Sequence, residues 1–407
     1  MKNSLSDYIA GRLCYSQTGE VFCSNFQSEL QLVLCRAKSV ATIKQALRQA
    51  YTIKATVSLN WQSQLITKHL TRLNIGFDPT EDWITSFDEE LFLIIYQVDD
   101  GEYIKAKDKE FGYQLILAEN LVSTLTKHSL SYTRSIDEFF YTCCLVAGYE
   151  LLNDILSLSE GQSGDYQAGD LAGTHGWSSF REIFEVLNVC SDWVVMRNAE
   201  FLPDDFWGND KDVDVLCSDL SLFTLAANAK KKGNGEANYQ VQVADKWVDV
   251  DIRIVGDNYY DASWQRDMLK TKVFNDDVPR LCPKHDFYSL FYHARVHKPQ
   301  VKAVYIDRLR SMAEQLSIQY PPQALQNNRE SAQFIDAFLS KNQYFITYPN
   351  DYACYESLNL AVLNKSTQVS NQHVPMSFVI RKNAHALFIW GCKLAPRGLK
   401  DAIKRLM

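Results

Sequence analysis

Apolar residues recur at three- and four-residue steps in two long segments of the first part of the chain. The segments are residues 28–50, SELQLVLCRAKSVATIKQALRQA, and residues 135–157, SIDEFFYTCCLVAGYELLNDILS. Because this spacing puts the apolar side chains on one face of a helix, the pattern predicts two amphipathic helices. Residues 91–98, LFLIIYQV, fit either a short strand or a buried helical turn, since so short a run has no distinguishing period. The segments together predict a mainly helical N-terminal domain over residues 1–170.

The pattern changes after a glycine-rich segment. Residues 161–176, GQSGDYQAGDLAGTHG, contain five glycines and few large apolar residues, which predicts a loop and a domain boundary. Beyond this segment, short apolar or alternating stretches predict strands, and amphipathic stretches between them predict helices. The predicted helices are 177–188 and 220–230, and the predicted strands are 193–196, 212–217, 239–243 and 247–255, of which the last two form a hairpin.

This order of elements predicts an α/β protein of the α+β kind, built around a small mixed sheet. The mixed-sheet core and the helices that follow it are assigned to residues 177–315. Residues 316–407 are predicted to form a mixed α/β C-terminal region, with a helix at 331–339, a strand at 344–348 and a basic helix at 399–407. Three domains suit a chain of 407 residues because one hydrophobic core rarely serves so long a chain.

The charge balance and the cysteines narrow the class of protein. A formal net charge of −7 argues against nucleic acid as a partner, because proteins bind nucleic acid mainly through basic surfaces. The longest apolar run, near residues 139–152, is shorter than the ~20 residues of a spanning helix, so no membrane span is expected. The ten cysteines form no C-x-x-C pair and the N-terminus has no signal-peptide pattern, which predicts a cytoplasmic protein with reduced thiols.

Two carboxylates lie at the start of a predicted strand. Asp212 and Asp214 follow a turn at Gly208 and Asn209, and the apolar residues Val213 and Val215 alternate with them. Since side chains alternate along a strand, the two acids share one face while the valines point toward the core. Carboxylates so placed can hold Mg²⁺, which prefers one or two carboxylates together with substrate phosphates.

A third acid is expected on the strand at residues 247–255, WVDVDIRIV. Asp249, Asp251 and Arg253 share one face of this strand, and valine and isoleucine occupy the other. Burying an aspartate without a partner costs several kcal/mol, so a polar face on so apolar a strand requires an explanation. A metal cluster with an adjacent arginine provides one. Either aspartate can serve as the third ligand, and Asp251 is preferred.

These motifs resemble those of the nucleotidyltransferase superfamily. The stretch G-N-x-x-D-V-D at residues 208–214, with V-D-I-R at 250–253, is similar to the superfamily's turn, paired acids and third acid on a later strand. Residues 177–298 are similar to uncharacterised nucleotidyltransferase-like proteins associated with bacterial surface-polysaccharide loci. Asn209 departs from the pattern, which has serine or threonine there.

The resemblance implies a Mg²⁺- or Mn²⁺-dependent transfer of a nucleotidyl or related phosphate-linked group to an acceptor hydroxyl. Asp212, Asp214 and Asp251 would hold the metal, and Asp251 would help to deprotonate the acceptor. The donor would be a nucleoside triphosphate, or a CDP-linked compound if the enzyme is a polyol-phosphate or phosphocholine transferase. The acceptor would be a small sugar, polyol or glycan. A further alternative is a degenerate, non-catalytic binding scaffold.

Other residues are candidates for contacts with donor or acceptor. The nucleotide and phosphate candidates are Gly208, Asn209, Lys211, Arg253 and Arg197, and the substrate candidates are Asp249, Tyr292, His293 and Lys298. Arg197 follows an apolar strand and suits a buried salt bridge as well as a phosphate contact. For the aromatic residues of 284–299 a structural role is preferred, and no glutamate follows His293 as a zinc protease motif requires.

Overall fold

The computed structural model describes residues 29–73, 90–98, 103–105, 113–115, 117–133, 135–159, 161–197, 199–204, 212–233, 235, 237–321, 323–371 and 374–380. These residues form a mixed α/β structure with two mixed β-sheets, in agreement with the predicted α+β class. By their contacts they group into two compact units. The first comprises the described residues up to Gly233, with Asn238–Ile254 and Leu269–Arg280; the second comprises Val255–Met268 and the described residues from Leu281 onward, with those of Asn234–Ala237.

The strands are numbered in chain order. They are β1 (Glu29–Arg36), β2 (Thr52–Leu59), β3 (Leu91–Val98), β4 (Tyr103–Lys105), β5 (Tyr113–Leu115), β6 (Ser129–Tyr132), β7 (Gly164–Ala168), β8 (Trp193–Arg197), β9 (Val213–Cys217), β10 (Lys230–Lys231), β11 (Asn238–Val243), β12 (Lys246–Ile254), β13 (Val273–Asn275) and β14 (Val278–Arg280).

The helices are numbered in the same way. They are α1 (Val40–Leu47), α2 (Ile66–Arg72), α3 (Glu119–His128), α4 (Ile136–Ser157), α5 (Phe180–Cys190), α6 (Leu220–Ala227), α7 (Ala262–Lys270), α8 (Pro283–Arg295), α9 (Ala303–Gln315), α10 (Asn328–Asn342), α11 (Tyr352–Ser357) and α12 (Leu360–Leu363).

The prediction of a mainly helical N-terminal domain is wrong. A sheet in the order β6-β1-β3-β2-β7 occupies this part of the described chain, and the predicted helix at 28–50 is strand β1 followed by the short helix α1. Leu32 and Leu34 of β1 pack into one hydrophobic cluster, whereas Val33 and Cys35 pack into another on the opposite face. A strand buried on both faces has no polar alternation, so its apolar run imitates helical spacing. The ambiguous run at 91–98 is strand β3.

The long predicted helix at 135–157 is confirmed as α4. Ser135 caps its N-terminus by accepting a hydrogen bond from the backbone N–H of Glu138. Phe139, Phe140 and Cys143 are buried in the core of the first unit. Within the described part of the chain, α4 alone is long and apolar enough to cross a membrane, and its burial is the behaviour expected of a core helix.

The second sheet of the first unit has the order β10-β11-β12-β9-β8-β14-β13. Strand β12 is parallel to β9, β9 is antiparallel to β8, and the predicted hairpin is present as β11 and β12. The glycine-rich segment carries β7 and then a turn in which Gly173 lies against the Trp177 ring. A side chain at Gly173 would overlap that ring, and its φ of +67° also favours glycine. The residues on both sides of the predicted boundary belong to one compact unit.

The second unit is formed mainly by helices. Helix α8 packs against α9 and α10, and the helix predicted at 331–339 lies within α10. The strand predicted at 344–348 is absent from the described structure, where Ile346 makes only an isolated bridge to Val369. The predicted terminal helix at 399–407 lies outside the described residues.

The described cysteines are all free thiols, as the sequence predicts. Cys143 and Cys35 are buried, and burial raises the pKa of each thiol to about 12. A thiol with so high a pKa is neutral at physiological pH, so these residues behave as small apolar side chains.

Candidate functional site

One arginine and two aspartates face each other across three adjacent strands of the second sheet. Arg197 on β8 is the register partner of Asp214 on β9, and Asp214 is the partner of Asp251 on β12. Register partners point to the same side of a sheet, so the three side chains form one cross-strand line. We call Arg197, Asp214 and Asp251 the charge row.

Alternation along the strands sets the position of the charge row. Val213 and Val215 flank Asp214, and Val250 and Ile252 flank Asp251. These four apolar residues are buried in the core of the first unit. Their burial turns the charged positions to the opposite face of the sheet, as the sequence predicts for the two aspartates.

Asp214 and Arg197 form a buried, two-pronged ion pair. Asp214 is only 5% exposed. The Arg197 Nε donates to Asp214 Oδ2 at 3.1 Å, and an Arg197 terminal nitrogen donates to Asp214 Oδ1. The sequence suits Arg197 to a buried salt bridge or to a phosphate contact, and in this structure Arg197 forms the salt bridge. The fork of the guanidinium matches the carboxylate, so both oxygens of Asp214 are engaged.

One carboxylate oxygen of Asp251 accepts a hydrogen bond, and the other has no hydrogen-bond partner among the described residues. Arg253, two residues along β12, donates from a terminal nitrogen to Asp251 Oδ2 at 3.1 Å. Asp251 Oδ1 is buried and has no hydrogen-bond partner among the described residues. An unsatisfied buried oxygen carries a desolvation cost of about 1–3 kcal/mol or more, and it is therefore a candidate for contact with a ligand.

The remaining predicted residues of this region lie apart from the charge row or outside the described chain. Asp212 is exposed just before β9. Asp249 is exposed and paired with Lys232, whose Nζ lies 2.6 Å from Asp249 Oδ1. The predicted phosphate-binding residues Gly208, Asn209 and Lys211 lie outside the described residues.

The charge row offers a limited set of metal ligands. Within the described ranges, no group of three histidine, cysteine or acidic residues is arranged to hold a metal ion. The open Oδ1 of Asp251 fits a hard cation, but both oxygens of Asp214 are bonded to Arg197. The row as described therefore has one carboxylate oxygen without a partner, Asp251 Oδ1, and it does not form a three-carboxylate site.

Two of the substrate candidates, Tyr292 and His293, lie on α8 in the interior of the second unit. Tyr292 is fully buried, and burial raises its pKa well above the usual range. The Nδ1 of His293 shares a hydrogen bond of 2.8 Å with the Tyr259 hydroxyl. Lys298 is partly exposed. This environment favours the structural role for Tyr292 and His293.

A second cluster of titratable side chains was not predicted from the sequence. Asp170 accepts hydrogen bonds from the Nε2 atoms of His69, at 2.8 Å, and His175, at 3.0 Å. Burial lowers the pKa of His69. Burial raises the pKa of Asp170, but hydrogen bonds from His69, from the Gln62 backbone and from His175 outweigh it, so that pKa lies below its usual value. Because His69 and Asp170 are 101 residues apart, no local spacing in the sequence indicates their contact.

A search for similar proteins gives no match to any family model, curated protein or solved structure.

Proposed function

We propose that this protein is a metal-dependent transferase with a nucleotidyltransferase-like core, which moves a nucleotidyl or related phosphate-linked group to an acceptor hydroxyl. The observation that carries the proposal is the pairing of Asp214 with Asp251 on adjacent parallel strands. Asp251 Oδ1 is buried there and has no hydrogen-bond partner among the described residues. The resemblance of residues 208–214 and 250–253 to nucleotidyltransferases supports the same reading. The proposed donor is a nucleoside triphosphate or a CDP-linked compound, and the proposed acceptor a sugar, polyol or glycan of surface-polysaccharide synthesis.

Asp214 and Asp251 are the residues that would hold Mg²⁺ or Mn²⁺. When bound, such an ion neutralises phosphate charge and stabilises the attacking and leaving oxygens. Asp251 would also help to deprotonate the acceptor hydroxyl, as an oxygen of this carboxylate that is not bound to the ion can accept the proton. To free an oxygen of Asp214, Arg197 must release part of its ion pair. Its guanidinium can then donate to the phosphate of the leaving group.

The test is binding and turnover in single variants. Asp214→Asn and Asp251→Asn should abolish the rise in melting temperature that Mg²⁺ and a donor nucleotide produce together, and should lower turnover by at least about 100-fold. The four nucleoside triphosphates and CDP-linked donors form the ligand panel. Pyrophosphate release identifies a nucleotidyl transfer, and CMP release identifies a transfer from a CDP-linked donor.

Asp245→Asn is the matched control, because Asp245 lies exposed in the turn of the same hairpin. It should leave the thermal shift and turnover unchanged. If Asp214→Asn and Asp251→Asn both retain the metal- and nucleotide-dependent shift, the proposed site is wrong.

The two-pronged pair between Arg197 and Asp214 favours a second candidate function. A non-catalytic scaffold would retain a charge row that is neutralised internally and does not exchange its arginine for a metal. In that case neither Mg²⁺ nor any donor shifts the melting temperature of the unaltered protein, and the aspartate variants change stability alone.

A further inference from the structure

The charged face of the second sheet continues from the charge row to an exposed tryptophan. Along β12, Trp247, Asp249 and Asp251 occupy alternate positions and so share one face. Gln240 on β11 is the register partner of Asp249, and Lys230 on β10 is the partner of Gln240. We call the side chains of Trp247, Asp249, Gln240, Lys230 and Lys232 the open face.

The side chains of the open face are more exposed than those of the charge row. The side chain of Asp251 is 20% exposed, whereas those of Asp249 and Lys232 are 51% and 50% exposed. Trp247 is 47% exposed, which is high for the largest apolar side chain. The opposite face of β12, with Val248 and Val250, is buried in the core. The open face is therefore accessible to a ligand that extends from the charge row.

Trp247 is held in place by a cation. The Lys230 ammonium lies over the Trp247 ring at 4.6 Å from its centroid. Such a contact orients the ring at an exposed site and adds about 0.5–1 kcal/mol. An exposed, oriented ring with polar neighbours provides an apolar surface for stacking together with groups that form hydrogen bonds.

Each acid on this surface is paired with a cation, and the further cation of the open face, Lys230, lies over the Trp247 ring. Asp249 is paired with Lys232, Asp251 with Arg253, and Asp214 with Arg197. Because the acids are matched and the one further cation contacts a ring, the face presents no cluster of unmatched cations that would select a polyanion. It offers carboxylate and ammonium groups at fixed positions, which suit the many hydroxyl donors and acceptors of an uncharged ligand.

We propose that the open face binds a neutral oligosaccharide acceptor, with one sugar ring stacked on Trp247. The acceptor role rests on the function proposed above. Trp247 lies four residues from Asp251, or about 13 Å along the strand. A ligand that reaches both residues is therefore longer than a single sugar ring, so the acceptor is an oligosaccharide chain whose reacting hydroxyl lies at Asp251. Asp249, Lys232 and Gln240 lie between these points and contact the intervening hydroxyls.

The test is calorimetric binding to the full chain of neutral oligosaccharides of glucose, galactose, mannose and N-acetylglucosamine, with a uronic-acid oligosaccharide and CMP as comparisons. Trp247→Ala should weaken binding of at least one neutral oligosaccharide about ten-fold or more, a loss that corresponds to one stacked ring. Trp247→Phe should retain most of the affinity. Phe274→Ala is the matched control, because Phe274 is an exposed aromatic residue on β13, at the other edge of the same sheet. It should bind as the unaltered protein does.

Three results would overturn the proposal. They are no binding of any neutral oligosaccharide at millimolar concentration, equal binding by the Trp247→Ala variant, or a Trp247 dependence seen only with CMP or the uronic-acid chain. Asp214→Asn separates this proposal from the proposed function. If this variant keeps both its sugar binding and its nucleotide-dependent thermal shift, the saccharide site is supported and the proposed transferase function is contradicted.

Discussion

The charge row of the first unit and the aromatic interior of the second unit contain the two groups of residues that the sequence singles out for chemistry. In the charge row, polar side chains pair with one another on one face of a sheet, and one carboxylate oxygen stays open. In the second unit, Tyr259, Tyr260 and Tyr292 pack ring against ring, and their titratable neighbours bond inward. The comparison teaches that spacing alone does not distinguish a site from a core. The distinction comes from what is buried: a carboxylate oxygen without a hydrogen-bond partner in the charge row as described, and aromatic rings packed on one another in the second unit.

The largest expected effect is on the buried ion pair of the charge row. Arg197→Ala leaves the Asp214 carboxylate buried without a partner, which should lower the free energy of unfolding by about 3–5 kcal/mol in the presence of EDTA. Unfolding in urea measures the loss. The double variant Arg197→Ala with Asp214→Ala should recover most of it, because neither charge then remains. Saturating Mg²⁺ should also recover stability in the single variant if a cation can replace the guanidinium. A single-variant loss below about 1 kcal/mol would contradict a buried, coupled pair.

The second-largest expected effect is a loss of stability of the second unit at low pH. Burial, aided by Lys284 and opposed by Asp267, lowers the pKa of His285 from 6.5 to about 4, and the Trp264 indole N–H donates to its Nδ1 at 3.0 Å. The unfolded chain thus binds the proton more readily, so stability is present above pH 6.5 and falls as the pH drops toward about 4, by at most about 3 kcal/mol.

Hydrogen exchange of the α8 amides, corrected for intrinsic rates, measures this loss of stability in the second unit. His285→Gln should flatten the pH dependence of exchange in α8. His175→Gln is the control, because His175 is an exposed residue of the first unit. An unchanged pH profile in His285→Gln would show that another group controls the stability of α8.

The smallest expected effect lies at the exposed end of the same sheet face. Lys232→Ala removes the ion pair with Asp249, in which both side chains are about half exposed. Solvent screens such a pair, so the free energy of unfolding should change by less than about 1 kcal/mol, and by less still in high salt. Urea unfolding at two ionic strengths measures it. A loss comparable to that of Arg197→Ala would remove the contrast between the buried and the exposed pair.

The mixed-sheet region is the part of the fold that the sequence predicts best. Strands β8, β9, β11 and β12 lie where the apolar patterns indicate. The alternation around Asp214 and Asp251 marks β9 and β12, whereas β8 is a short apolar run that is buried throughout. The sequence pattern predicts a helix where β1 lies and leaves β3 open between strand and helical turn, because both strands are buried on both faces. A prediction from periodicity requires a polar face, and these strands have none.

The sequence by itself determined that Asp214 and Asp251 face away from the core, since the valines and isoleucine around them must be buried. Only the tertiary structure decided their partners. The parallel register of β9 with β12 brings Asp251 beside Asp214, the neighbouring β8 supplies Arg197, and the packing around α8 encloses Tyr292 and His293. The physical reason is that alternation depends on adjacent residues, whereas strand order, register and enclosure depend on contacts between distant parts of the chain. His69 and Asp170 illustrate the same limit, because nothing local in either segment indicates that their side chains meet.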